Sequence, residues 1–583
     1  MAAQSEYIGY PEPVEAPVFT AEAKEYRNIS AHNPTLTGYP LTLASRLISS
    51  LTPLQSLLYN NAEFSSLRKL SVLKQYAPRW EPLVVPRSAE STDPADTSLF
   101  TQHGDHTFYT SADYVAAYKD KKTTPTAVAE YLLALVKQPP HNLAFIQIRD
   151  DLTLQAAQAS TNRYANGTTL GPLDGVPIVV KDEVDINGYR KTFGSAKVFD
   201  NGEGPTSWCV KKLEEAGAII IGKANMHELG TDTTNNNPVT GTPRNPVNQA
   251  YYTGGSSGGS AYAVGSGLVP IAVAADGGGS IRIPSNYCGV YGIKASHGRI
   301  SAYPSVSLTS GNGVVGPIAS SLPDLALAYR IMSQPAPADG WSSLFPSPRA
   351  STSSITRPGR RVIGIYRPWF NDSSSTVAKL CNEAVDRLVS AQGYELVEIP
   401  FIPYLNEARK SHALSISSDM SVFVNGDYSG LNAANKIMLA TLSQAPAIEY
   451  NCANKVRSMI MSHFASIWQQ HPGLILVTPT TPFAGVKIDE KELSAGVSNT
   501  NRSLESMRYV FLSNFIGAPS INSVVGYEEG SGMPISLMGL AEWGKEEDLF
   551  GFAEDVAKGF RSVKGRKRGQ IWVDVLGGVG VNA

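Results

Sequence analysis

Short apolar runs alternate with segments of helical character along most of this 583-residue chain. Four of these runs are typical of strands that are buried on both faces of a sheet. They are VPIVV at 176–180, AIII at 218–221, LVPIAVAA at 268–275 and LILV at 474–477. The helix predicted after Thr124 has both a capping residue and a proline at its first position. This alternation predicts an α/β fold in which a mixed central β-sheet is covered by helices on both sides.

The N-terminal part of the chain follows another pattern. Between residues 42 and 59, Leu and Ile recur at helical spacing around Pro53, which predicts two short amphipathic helices. We therefore divide the chain into an N-terminal extension with helices and a linker, residues 1–105, and a main domain, residues 106–583. The helices either pack on the main domain or contact a bilayer surface. Packing is favoured, because Arg46 is the only cation in the segment and interfacial helices usually carry more.

Two stretches without periodicity predict irregular structure. Residues 85–105 are polar and rich in turn-forming residues, as expected of a linker. Residues 334–361 contain abundant Pro and Ser and predict a long surface loop.

Composition and charge exclude several classes of protein. The chain is 42% hydrophobic and 17% charged, with a net charge of −2, which is ordinary for a soluble globular protein and gives no support to a nucleic-acid partner. Neither a signal peptide nor a membrane-spanning apolar run is found, so we expect an intracellular protein, either cytoplasmic or peripheral on an internal membrane. The four cysteines lack CxxC spacing, which argues against a zinc site and against a disulfide framework.

Three consecutive glycines precede Ser280 in the sequence ADGGGSIRIP, residues 275–284. Without Cβ atoms, successive backbone N–H groups can converge there on one anion. The preceding apolar run places this turn at a strand end, where α/β enzymes commonly have their active sites. A second glycine loop, TGGSSGGSAYAVGSG at 253–267, continues into a predicted helix of small residues. Ser280 is therefore a candidate nucleophile.

Two familiar motifs are present only in part. The sequence GAIIIGKA at 217–224 resembles a phosphate-binding loop but ends in Ala224 in place of Ser or Thr. The sequence GSSGG at 255–259 matches a nucleophile elbow but lacks the strand that should precede it. An elbow also needs a histidine partner. His227 and His297 are better explained as structural hydrogen-bonding residues.

Lys181 is the candidate base. It ends the apolar run at 176–180, so its side chain should be buried. Because an unpaired buried ammonium is unfavourable, the group should lose its proton. A neutral amine in such a position can act as a general base.

Three segments together resemble the amidase signature family. They are PLDGVPIVVKD at 172–182, the glycine-rich stretch from GGSSGG to YGIKAS at 254–296, and VTPT at 477–480. The resemblance extends from about residue 108 to 555 and implies the amidase-signature fold for a catalytic domain at 106–583. It also implies that the protein hydrolyses amide bonds with a Ser–cis-Ser–Lys triad. The resemblance assigns Ser280 as nucleophile, Ser256 as bridging serine after a cis Gly255–Ser256 bond, and Lys181 as general base.

The same resemblance assigns the glycine turn as the oxyanion hole. Its donors would be the N–H groups of Gly277, Gly278, Gly279 and Ser280. Asp276 and Arg282 would form a structural ion pair beside it. Because the implied activation uses side-chain protons alone, we expect neither a metal nor an organic cofactor.

Within the family, the chain most resembles the plant-type fatty acid amide hydrolases. The segments that carry this resemblance are TGYPLTLASRLISSL at 37–51, GKANMHELGTDTTNNN at 222–237, YTGGSSGGSA at 252–261, DGGGSIRIPS at 276–285 and RPWFNDSSS at 367–375. It implies that fatty acid amides, including N-acylethanolamines, are cleaved to a fatty acid and an amine. It further implies that the N-terminal helices help to form the acyl entrance, that Gly230 lies beside the substrate, and that the protein is a homodimer.

Three alternatives stay open. One is a general amidase that acts on aryl or short aliphatic amides. Another is an amidotransferase A-type subunit that acts with a tRNA-binding subunit, although the long N-terminal extension disfavours it. A peripheral membrane-binding protein without catalysis would depend on the helices at 42–59 alone.

Overall fold

An eleven-stranded β-sheet runs through the centre of the protein. The computed structural model describes residues 6–14, 19–28, 33–88, 107–350, 355 and 359–580. The strands in chain order are β1 (Tyr7–Ile8), β2 (Leu36–Thr37), β3 (Val85–Pro86), β4 (Phe145–Gln147), β5 (Pro177–Lys181), β6 (Ile219–Ala224), β7 (Ile271–Asp276), β8 (Tyr291–Lys294), β9 (Val314–Ala319), β10 (Val362–Ile365), β11 (Glu395–Glu398), β12 (Leu474–Pro479), β13 (Val497–Ser498), β14 (Ser520–Tyr527) and β15 (Pro534–Leu540).

The sheet is mixed, as predicted. Its strand order is β11-β10-β12-β15-β14-β8-β9-β7-β5-β6-β4. Strands β6, β5 and β7 run parallel to one another, whereas β9, β8, β14 and β15 form antiparallel pairs. The four apolar runs of the sequence become β5, β6, β7 and β12, and all four strands are buried.

Helices flank this sheet. They are α1 (Ala21–Lys24), α2 (Gly38–Ser50), α3 (Thr52–Asn61), α4 (Ser111–Lys119), α5 (Pro125–Leu135), α6 (Asp150–Asn166), α7 (Trp208–Glu215), α8 (Gly258–Gly265), α9 (Arg282–Cys288), α10 (Leu322–Met332), α11 (Arg367–Phe370), α12 (Ser375–Gln392), α13 (Leu405–Val424), α14 (Ala433–Leu442), α15 (Ala447–Gln470), α16 (Thr500–Ser506), α17 (Phe511–Ile516), α18 (Glu546–Arg561) and α19 (Val575–Gly580). Helix α5 begins where predicted, because the Thr124 hydroxyl accepts a hydrogen bond from the N–H of Ala127 at 3.2 Å. The α/β architecture expected from the sequence is therefore confirmed.

The N-terminal residues are attached to the main sheet domain at several points. Strand β2 pairs with β13, and helix α2 packs on α14. Pro53 lies at the start of α3, so the segment forms two helices, which confirms the prediction of a break there. Several buried apolar residues of this part, among them Tyr7, Phe19, Leu67 and Val84, belong to the same core as those of the sheet. Within the described residues, no helix is long and apolar enough to cross a membrane.

The two stretches predicted as irregular differ in outcome. Val85 and Pro86 form β3 rather than the start of a linker, and residues 89–106, where the predicted boundary at 105 falls, lie outside the described residues. Residues 334–350 are irregular apart from one short 3₁₀ turn. However, Phe345 is buried and Trp341 lines a cavity, so this part is not simply a surface loop. Residues 351–354 and 356–358 lie outside the description.

Candidate active site

Two neighbouring parallel strands bring the candidate residues to one edge of the sheet. Strand β5 ends at Lys181 and β7 ends at Asp276, directly before the glycine turn. Because the strands are parallel and adjacent, their carboxyl ends lie side by side, where open α/β sheets commonly have their sites. Both strands are wholly apolar before these residues, which explains why the polar side chains are buried at their ends.

The side chains of Lys181 and Ser256 are in hydrogen-bond contact. The Lys181 Nζ lies 2.9 Å from the Ser256 Oγ and 3.3 Å from the carbonyl oxygen of Ala275. The peptide bond between Gly255 and Ser256 is cis, as the family resemblance implied. Lys181 and Ser256 are each 1% exposed and Ser280 is 8% exposed. The loops of the two serines are joined by a hydrogen bond from the N–H of Ser257 to the carbonyl of Ser280.

The expected loss of the Lys181 proton assumed that no acidic side chain pairs with the lysine, whereas one does. The Glu183 Oε2 lies 3.0 Å from the Lys181 Nζ. Glu183 is two residues beyond the end of β5, and its side chain lies beside the lysine. Sequence reasoning missed this pair because only the apolar run before Lys181 was used to judge its surroundings. The charged residues that follow it, Asp182 and Glu183, were the available signal.

The glycine turn is organised around the carboxylate of Asp276. Its two oxygens accept hydrogen bonds from the Arg282 guanidinium, at 2.9 and 3.0 Å. They also accept from the backbone N–H of Gly279 at 2.6 Å and of Ile281 at 3.0 Å. Burial alone would raise the pKa of Asp276, but Arg282 and these hydrogen bonds hold that pKa well below its ordinary range. The expected ion pair between the fully buried Asp276 and Arg282 is therefore present.

The hydrogen bonds of Asp276 change the set of candidate oxyanion donors. Since the N–H of Gly279 already donates to Asp276, it is not available in this arrangement to an anion bound in front of Ser280. Gly279 instead serves the packing, because it has a φ of +114° and a Cβ there would lie 2.4 Å from a methyl of Val510. The amides of Gly277, Gly278 and Ser280 stay as candidates.

A cavity of about 380 Å³ adjoins the three reactive side chains. Lys181, Glu183, Ser256 and Ser280 all line it. Its apolar wall includes Val184, Leu229, Ile300, Leu308, Ile416 and Met420. The other polar lining groups include the hydroxyls of Ser305, Ser307, Thr309 and Ser310. An apolar pocket of this volume with convergent polar groups at one end suits a small organic substrate.

Gly230 also lines this cavity. It has a φ of +70°, and a Cβ built on it would lie 3.4 Å from the Ser256 Oγ. The preceding Leu229 has a left-handed backbone conformation. A glycine here therefore keeps the space in front of Ser256 open.

The N-terminal helices do not themselves line the cavity in the described part of the chain. Among the described residues that line the cavity, none lies between 42 and 59. Helix α2 packs on α14, and α14 packs on α13, which supplies Ile416 and Met420 to the wall. The contribution of these helices to the cavity is thus indirect.

The two histidines singled out in the sequence differ in their contacts: His227 is bonded through its backbone and its Nδ1 has no partner among the described residues, whereas His297 is bonded through its ring. The backbone N–H of His227 donates to the carbonyl of Ser256 at 3.0 Å. The His297 Nε2 lies 3.1 Å from a carboxylate oxygen of Glu81, and the residue also lines the cavity. Burial lowers the pKa of both rings. Neither imidazole makes a hydrogen bond to Ser280 among the described contacts.

Several known proteins are similar to this chain in sequence or in fold. The profile of the family described as Amidase matches residues 127–550. The fatty acid amide hydrolase of Medicago truncatula is 36% identical over 482 residues, which cover 80% of this chain and 78% of that protein. The fatty acid amide hydrolase of Oryza sativa subsp. indica is 31% identical in an alignment that covers 98% of this chain and 100% of that protein. A bacterial aryl acylamidase of the amidase signature family has the same fold, with a TM-score of 0.68 and 21% identity over 79% of this chain and 99% of that one. The chain therefore belongs to the amidase signature family and is an amidohydrolase.

Proposed function

We propose that the chain hydrolyses its amide substrate with Ser280 as nucleophile, Ser256 as proton-transferring serine and Lys181 as general base. The observation that carries this proposal is the 2.9 Å contact between the Lys181 Nζ and the Ser256 Oγ in the cavity that Ser280 also lines. Burial of all three side chains supports it, because proton transfer in a dry site needs groups held in place beforehand.

The chemistry follows from the positions of these groups. To act as the base, Lys181 would accept the Ser256 proton on the lone pair of its amine, while another of its N–H groups donates to Glu183. Ser256 in turn takes the proton of Ser280, whose Oγ attacks the carbonyl carbon of the amide. The amides of Gly277, Gly278 and Ser280 stabilise the resulting oxyanion. When the C–N bond breaks, the leaving nitrogen receives its proton from Ser256, and water then hydrolyses the acyl-enzyme.

The proposed substrates are fatty acid amides, including N-acylethanolamines. Support comes from the apolar wall of the cavity and from the fatty acid amide hydrolases among the relatives. Each CH₂ of an acyl chain that is buried in such a wall contributes about 0.8 kcal/mol. Gly230 is then the residue that leaves room for the substrate beside Ser256. The resemblance to these enzymes also supports a homodimer.

We further propose that α2 contacts a membrane surface from which such lipids are drawn. Its outward side carries Tyr39, Leu43 and Leu47, which are 77%, 45% and 46% exposed. These three positions are four residues apart and so lie on one face of the helix. The opposite face, with Leu41 and Ile48, is buried.

A substrate series tests the function. Purified protein is assayed on acetamide, an aryl amide, glutamine and N-acylethanolamines of increasing acyl length. We expect kcat/KM to rise with acyl length, and we expect Ser280→Ala to abolish hydrolysis of every substrate. A rate that does not rise with acyl length would reject the lipid assignment and favour the aryl or short-chain alternative. Unchanged activity of Ser280→Ala would reject the triad itself.

A further inference from the structure

His412 contacts the glycine turn but does not line the cavity. It lies on α13, one turn before Ile416 and two turns before Met420, both of which line the cavity. His412 itself is fully buried and is not a lining residue. Its Nε2 lies 2.8 Å from the carbonyl oxygen of Gly277. The helix that contributes to the cavity wall therefore also contacts the turn that precedes Ser280.

The hydrogen bond defines which nitrogen of His412 carries the proton. A carbonyl oxygen can only accept, so the Nε2 must be the N–H donor. Burial lowers the pKa of His412 to about 4, so the ring is neutral at pH 7. The charged groups that act on it are Arg457, Asp276 and Arg282. The Nδ1 has no hydrogen-bond partner in the described part of the chain. The ring therefore makes a single directed polar contact.

That contact fixes the direction of a proposed oxyanion donor. The carbonyl of Gly277 and the N–H of Gly278 belong to one planar peptide unit and point in opposite directions. Holding the oxygen toward α13 therefore directs the N–H of Gly278 away from α13. The fit is close, because a Cβ at Gly278 would lie 3.0 Å from the His412 Cε1. With two glycines in succession, the chain has little conformational preference of its own to hold this orientation.

We propose that His412 is a positioning residue that holds the Gly277–Gly278 peptide so that the N–H of Gly278 donates to the oxyanion. The proposal rests on the proposed function, since it takes Ser280 as the nucleophile. His412 touches neither the substrate nor the reacting atoms. It acts only through the peptide unit to which it donates. The aromatic rings of Phe511 and Phe515, at 5.9 and 6.4 Å from the imidazole, keep it in place.

Two substitutions separate this role from simple packing. His412→Gln keeps an N–H donor that can reach the Gly277 oxygen, and His412→Met fills a similar volume without a donor. We expect His412→Met to lower kcat by about 10- to 100-fold with little change in KM, because oxyanion donors act mainly in the transition state. His412→Gln should recover most of the loss. Equal activity of the two variants, or a change confined to KM, would overturn the proposal.

Binding of inhibitors provides a second readout. A trifluoromethyl ketone that forms a tetrahedral adduct with Ser280 should bind more weakly to His412→Met than to the wild type, by a factor close to the loss in kcat. The carboxylic acid product, which forms no adduct, should bind equally well to both. Equal affinity for the ketone would contradict the role. If neither variant is inhibited by the ketone while Ser280→Ala remains fully active, the proposed triad has failed rather than the role of His412.

A measurement on the wild-type protein covers the case in which His412→Met does not fold. With ¹⁵N-labelled histidine, the ring nitrogens of His412 report which one is protonated. We expect a protonated Nε2 from pH 5 to 8, and a change in its proton shift when the ketone adduct forms. A ring protonated at Nδ1, or one unaffected by the adduct, would overturn the proposal.

Discussion

The segment around the glycine turn and the N-terminal helices differ in how much of their surface is buried. From 252 to 297 every residue except Gly277 is buried, and the segment consists largely of Gly, Ser and Ala. In α2 and α3 only a few positions are buried, and several leucines are exposed. The first region defines a site by excluding water and fixing backbone amides. The second leaves apolar area available to a partner.

A substitution in the buried segment around the glycine turn should produce the largest effect on stability. Asp276→Asn removes the charge that compensates Arg282, which is fully buried. An uncompensated buried charge of this kind costs about 3–5 kcal/mol, so we expect a loss of that size in the free energy of unfolding, measured in urea. Activity should fall as well, because the same carboxylate organises the turn before Ser280.

Asp151→Asn is the matched control. Asp151 also accepts two hydrogen bonds from one arginine, Arg149, but its side chain is exposed. We expect no measurable change there, because exposed ion pairs are screened by solvent. A similar urea midpoint for the two variants would contradict the distinction between the buried and the exposed region.

Features with a local sequence signal were predicted correctly in the sheet as well as in both regions. The apolar runs gave β5, β6, β7 and β12, and a proline explained the break between α2 and α3. The family motifs pointed to the two serine loops and to the lysine, and the contact between Lys181 and Ser256 agrees with them. These signals lie within a few residues of the features that they predict.

What the sequence did not reveal depends on the directions of side chains and on contacts across the fold. The N–H of Gly279 is used by Asp276, which depends on how the side chain folds back within the turn. Glu183 lies beside Lys181 because of the direction of its side chain, which periodicity does not define. His412 is 135 residues away from Gly277 in sequence, and no pattern around it indicates the contact. The burial of Phe345 in a Pro- and Ser-rich stretch is another tertiary effect.

Glu228 connects the two regions and should give a smaller, pH-dependent effect. Its carboxylate accepts hydrogen bonds from the N–H of Asn432 and the side-chain amide of Asn435, at the start of α14. Helix α14 supports α2, and Glu228 directly precedes Leu229 and Gly230 of the cavity. Burial raises the pKa of Glu228 from its ordinary value of 4.5 to about 7, against the opposing effect of these hydrogen bonds.

The sign of the effect follows from proton linkage. Between pH 5 and 7 the folded state binds more protons at Glu228 than the unfolded state does, so stability falls as pH rises through this range. The expected contribution from pH 5 to 8 is about 2 kcal/mol. Glu228→Gln cannot titrate, so its free energy of unfolding should decrease less over this range than that of the wild type. Parallel curves for the two proteins would show that Glu228 does not titrate there.

The second region is tested by a substitution that should leave the fold and the catalytic site nearly unaffected. Leu43→Ser and Leu47→Ser together remove two exposed apolar side chains from α2. Surface changes of this kind usually alter stability by less than about 0.5 kcal/mol each. Hydrolysis of a water-soluble short-chain amide should be unchanged, because neither residue lines the cavity. The only expected effect is on membrane binding: a smaller fraction of the double variant than of the wild type should sediment with phosphatidylcholine vesicles.

The salt dependence of vesicle binding shows whether apolar burial or charge attraction holds α2 on the membrane. Arg46 is the only charged residue in α2 and α3, so contact with a membrane must depend on the burial of apolar area rather than on attraction to anionic lipids. We therefore expect wild-type binding to neutral vesicles to persist when the ionic strength is raised, since apolar burial is not screened by salt. Leu170→Ser is the control, because Leu170 is a leucine of similar exposure, 55%, outside these helices. Two results would show that α2 is not the surface that contacts lipid. One is an equal loss of vesicle binding in Leu170→Ser and in the double variant, and the other is release of the wild type from vesicles by salt. The exposed leucines of α2 would then have another partner.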